Sequence, residues 1–167
     1  MSLFKLTTVM AVLAVLQGCG FRPLYGDPST GGSSAEFALI KVEPIKDRIG
    51  QLLRNHLRTA FNPKPRTQKP RYLLKTRVSQ NTASLAVRKS AFATRANLTV
   101  AANFHLLNAA TAKPLFSATR SITGSYNILD SEYATLAAEK DARNRTVREL
   151  SEDIRIQLGV YFSNLPN

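Results

Sequence analysis

Apolar residues recur at two different periods along this chain, and the change of period marks its elements. Residues 37 to 42 alternate loosely and predict a short strand. Ile49, Leu52, Leu53, His56, Leu57, Ala60 and Phe61 then fall on one stripe of a helix of about four turns. Asp47 is placed to cap that helix, and Asn62-Pro63-Lys64-Pro65 ends it. Residues 71 to 80 switch to period two, with Tyr72, Leu74, Thr76 and Val78 on one face and Leu73, Lys75, Arg77 and Ser79 on the other. Residues 92 to 106 repeat the pattern. Leu98, Val100, Ala102, Phe104 and Leu106 oppose Asn97, Thr99, Ala101, Asn103 and His105. A turn over residues 108 to 113 leads into a third strand over residues 113 to 126. Residues 81 to 89 either extend the first of these strands or form a hairpin loop.

A long helix closes the chain. Asp130 or Ser131 caps it, and Val147, Leu150, Ile154, Leu158 and Tyr161 keep helical spacing. Its early half, residues 134 to 145, is more polar and free to project past the sheet. The order β-α-β-β-β-α predicts an α+β domain, two helices packed on a mostly antiparallel four-stranded sheet with one polar face.

The N-terminus changes the picture. Lys5, an uncharged apolar run over residues 6 to 16, and Gln17-Gly18-Cys19 have the layout of an export signal. The run is about half of the ~20 residues that span a bilayer. Leu16-Gln17-Gly18-Cys19 resembles a lipobox, in which Cys19 is acylated after cleavage at residue 18. Two or more acyl chains anchor stably where one does not. The division expected is a signal peptide over 1–18, an acylated tether over 19–34 and a single domain over 35–167. Cys19 is the single cysteine, so no intramolecular disulfide forms. Gly20, where an Asp would favour retention in the inner membrane, fits sorting to the outer membrane.

Charge changes it again. The chain carries a formal net charge of +12. Residues 48 to 129 contain fourteen Lys or Arg and no acid, whereas residues 130 to 167 contain seven acids and five bases. A positive field over the middle strands points to an anionic partner. Export sets nucleic acid aside and leaves phospholipid head groups and lipopolysaccharide. Arg71, Lys75, Arg77, Arg88, Lys89 and Arg95 are the candidate anion ligands, since Arg grips phosphate through its fork and Lys acts as a point charge. Asn97, Thr99 and Asn103 could hydrogen-bond sugars. The same cations fit a solvated basic face equally well, or contacts to polar groups lining a barrel lumen.

Catalytic chemistry has little to stand on. His56 sits on the apolar stripe of the first helix as a half-buried histidine, and His105 has no ligand partner near it in sequence. No Gly-x-Ser-x-Gly elbow or glycine-rich phosphate loop occurs. No metal, cofactor or enzymatic activity is expected.

The segment Gly18-Cys19-Gly20-Phe21-Arg22-Pro23-Leu24-Tyr25-Gly26 resembles the acylation site of the lipopolysaccharide-assembly lipoprotein family LptE, of the alphaproteobacterial type. The element order, size and basic middle agree with it over residues 19 to 167. The resemblance implies a plug inside a very large outer-membrane β-barrel, the lipopolysaccharide translocon, forming a heterodimer that helps the barrel fold and supports insertion of lipopolysaccharide in the outer leaflet. It also implies binding to lipopolysaccharide and dispersal of its aggregates. Phe21, Arg22, Pro23, Leu24 and Tyr25 are candidate barrel contacts beside the lipid, or they dock on their own domain. The alternative function is a free-standing envelope lipoprotein that binds anionic lipid or polysaccharide through its basic sheet.

Overall fold

The computed structural model describes residues 33–61, 69–87 and 93–165. Cys19, the Phe21 to Tyr25 segment, Arg88 and Lys89 lie outside them. The described residues form seven elements in order: α1 (Ser33–Ala38), β1 (Ile40–Val42), α2 (Asp47–Phe61), β2 (Tyr72–Val87), β3 (Ala93–Asn108), β4 (Pro114–Asn127) and α3 (Glu132–Ser163). The strands lie side by side in chain order. β1 runs parallel to β2, pairing Ile40 with Tyr72, and the other pairs are antiparallel. The expected α+β order is present, with one further short helix ahead of it.

That helix corrects the expected strand over residues 37 to 42. Phe37 is helical, and its ring stacks on Phe61 at 5.4 Å and meets Phe162 edge-on at 5.7 Å. Those partners come from two helices, so Phe37 gains burial by helix packing, and only Ile40 and Val42 keep the strand alternation.

α2 follows its stripe. Leu53, Leu57 and Phe61 are buried, Ile49 and Leu52 pack against the core, and His56 is half-buried as expected. Asp47 starts the helix at φ 66°, a left-handed conformation that Asp tolerates better than bulky residues do. Gly50 lets the helix approach Ile45, whose Cγ2 would stand 2.6 Å from an added Cβ.

Residues 81 to 87 extend β2, giving strands of 16, 16 and 14 residues. Asn108 makes the β3–β4 turn by accepting from the Ala110 and Thr111 amides at 2.9 and 3.1 Å. Helices cover one face of the sheet. Tyr72, Leu74, Leu98, Val100, Ala102, Phe104 and Leu106 from the strands meet Val147, Leu150, Ile154 and Leu158 of α3 and Leu53 and Leu57 of α2. Each such side chain contributes about 1.5–3 kcal/mol on burial. α3 is capped by Ser131, whose hydroxyl accepts from the Ala134 amide at 3.4 Å. Its first turns are open to solvent, with Tyr133 83% and Leu136 58% exposed. Among the described residues no helix is long and apolar enough to cross a membrane.

Candidate functional site: the open face of the sheet

Period two sends every other strand residue away from the helices, and no described element covers that side. The register sets these residues in rows across β2, β3 and β4: Lys75, His105 and Ser117; Arg77, Asn103 and Thr119; Ser79, Ala101 and Ser121; Asn81, Thr99 and Thr123; Ala83, Asn97 and Ser125. Lys75, Arg77, Asn103, His105, Ser117 and Thr119 are exposed.

The face is held by its own hydrogen bonds. His105 Nδ1 shares a 2.7 Å bond with Ser117 Oγ, and the Thr119 hydroxyl donates to Asn103 Oδ1. The Thr99 and Thr123 hydroxyls lie 2.9 Å apart, and the Arg95 guanidinium donates to Ser125 Oγ at 2.8 Å. Such cross-strand pairs each contribute a few tenths to about 1 kcal/mol. They also fix the donors and acceptors in rows of hydroxyls and amides. No acid occurs anywhere from Tyr72 to Asn127, so nothing on these strands neutralises the cations internally.

The candidate cations do not form one cluster. Lys75 and Arg77 stand two residues apart on the same face of β2. Arg95 lies eight residues from Asn103 along β3, or ~26 Å at ~3.3 Å per residue, at the other end of the face. Arg71 is committed elsewhere: it lies 3.8 Å from the Glu36 carboxylate and 5.6 Å from the Tyr72 ring centre. Burial first, and the neighbouring Glu36 second, push the Tyr72 phenol up to about 12. Thr99 and Asn103 spend polar atoms on their neighbours across the strand gap.

Sequence reasoning missed a cleft of about 640 Å³ between α2 and α3, lined by Arg48, Gln51, Asn55, Gln80, Lys140 and Asn144 among others. Its residues come from three elements far apart in the chain, so no local motif announces it. Among the described residues no group of three His, Cys, Asp or Glu stands together as a metal site.

This geometry belongs to a known lineage. The LptE family, described as "Lipopolysaccharide-assembly", matches residues 37–158. The chain is a member of the LptE family. An uncharacterised protein of Rickettsia prowazekii is 23% identical over 154 residues, covering 92% of this chain and 95% of its own. A crystal structure from Caulobacter crescentus superposes with TM-score 0.67 at 23% identity, covering 81% of this chain and 98% of its own. The rare lipoprotein B of Shewanella oneidensis gives TM-score 0.57 at 12% identity, covering 75% and 95%. These likenesses place the fold. LptE membership also ties the chain to lipopolysaccharide assembly.

Proposed function

We propose that this LptE-family chain is a non-enzymatic, lipid-anchored subunit of the outer-membrane machinery that inserts lipopolysaccharide. Cys19 carries the lipid, and the domain plugs a large β-barrel partner, helps that barrel assemble, and meets lipopolysaccharide with its open sheet face. The observation that carries this reading is that face: rows of hydrogen-bonded hydroxyls and amides with Lys75 and Arg77 exposed among them, on strands free of acid. Hydroxyls and amides suit sugar hydroxyls. Unneutralised Lys and Arg suit the phosphates of a lipopolysaccharide core. Phe21, Arg22, Pro23, Leu24 and Tyr25 lie next to the lipidated cysteine and pack on the barrel wall at the membrane edge.

Purification of a C-terminally tagged chain from detergent-solubilised outer membranes tests the complex. One large β-barrel protein should be recovered near one-to-one and survive a high-salt wash. Recovery of the chain alone, or with lipid that salt removes, would instead indicate a free-standing binder of anionic envelope lipid. A Cys19→Ala variant should fold normally and leave the membrane fraction. Wild-type recovery of that variant in outer membranes would count against the anchor.

A further inference from the structure

The sheet has two long edges, and they are treated differently. On one side, β1 pairs only with Tyr72–Leu74, so β2 is unpaired from Lys75 onward among the described residues. Exposed Lys75 and Arg77 stand on that strand, and Arg48 of α2 shares a cleft with its Gln80. Charges of this kind discourage a second chain from pairing. On the other side, β4 presents the outer edge of 14 residues to no described element. Its single charge is Arg120, and Asp153 of α3 pairs with it at 3.5 Å. Pro114 stands only at the first position, where it blocks nothing further along.

Past that ion pair, what stands above the β4 edge is apolar. Asp153 fixes which side of α3 faces this strand. Ile156 and Val160, three and seven residues further on, lie on that same side of the helix. They are 41% and 48% exposed. Phe116 and Ile122, on the helix side of β4, are only partly buried.

We propose that the outer edge of β4 is a strand-docking site for an extended segment of the barrel partner. The segment adds a fifth strand, with main-chain hydrogen bonds supplying affinity and alternate side chains supplying specificity. Its inward row is apolar, filling the gap beside Ile156, Val160 and Phe116. Its outward row is acidic, because it joins a face whose charges are all positive and on which Arg95 already reaches β4 at Ser125. A second copy of this chain is a poor occupant. It would set two chains of net charge +12 edge to edge, with Arg120 facing its own equivalent in a centred register. The inference rests on the barrel complex proposed above and names where that complex is made.

The test uses the full chain in cells, with a photo-crosslinking amino acid at Ser121 on β4 or at Ser79 on β2. These two lie in one row, on opposite edges. The barrel should cross-link from Ser121 and not from Ser79. Ile156→Lys and Val160→Lys should each cut the recovered barrel about tenfold and leave the thermal unfolding of the purified chain unchanged, since both sites are exposed. Barrel recovered with the wild-type chain, with no Ser121 cross-link and no loss in the lysine variants, would overturn the edge and keep the complex. Absence of any barrel from the wild-type purification would overturn both.

Discussion

The two faces of one sheet are held in different ways. The covered face is apolar and closed over its centre. Leu74, Leu98, Val100, Phe104 and Leu106 are fully buried in one core with residues of α2 and α3. The open face is polar and braced sideways, by Thr99 to Thr123, Asn103 to Thr119 and His105 to Ser117. A change on the covered face is felt by the whole fold. A change on the open face is felt by its neighbour and by whatever binds there.

Substitutions on the covered side should cost most. Phe104→Ala should cost about 3–5 kcal/mol, a large share of the ~5–15 kcal/mol that holds an ordinary domain. Chemical denaturation of the purified chain measures it. Gly124→Ala comes next. The added methyl would collide with Thr146 Oγ1 where α3 crosses β4, costing about 1–3 kcal/mol. Thr146→Ala in the same chain should recover most of that loss, and failure to do so would place the strain elsewhere. Tyr72 gives a pH signature. Its raised value means that the folded chain keeps a proton the unfolded chain gives up, so stability should fall as pH rises from about 10 toward about 12. Tyr72→Phe should flatten that fall in a melting series across this window. The smallest effect belongs to the open face: Thr99→Val should cost less than about 1 kcal/mol, because water can satisfy the Thr123 hydroxyl left behind.

The sheet was legible because its signals are local. Period two over residues 71 to 80 and 92 to 106 named both faces, and Asn108 marked the turn. α1 was not legible. Phe37, Ile40 and Val42 alternate loosely enough to pass for one strand, and the rings that pack on Phe37, those of Phe61 and Phe162, are distant in sequence. The candidate cations divide on the same ground. Lys75 and Arg77 follow from strand parity. The pairing of Arg71 with Glu36 depends on where α1 lands, and the distance from Arg77 to Arg95 depends on how long the hairpin runs. The cleft between α2 and α3 and the open edge of β4 are products of topology, which no stretch of sequence contains.

We propose that the covered face holds the fold and the open face holds the ligand. A Lys75→Glu/Arg77→Glu chain, assayed for lipopolysaccharide binding across a salt series and for thermal unfolding in the same buffers, tests it most directly. The melting temperature should stay within ~2 °C of the parent, as expected of exposed sites, with binding at low salt reduced at least about tenfold and a shallower dependence on salt. Unchanged binding at low salt, with the fold intact, would contradict it and move the ligand off this face.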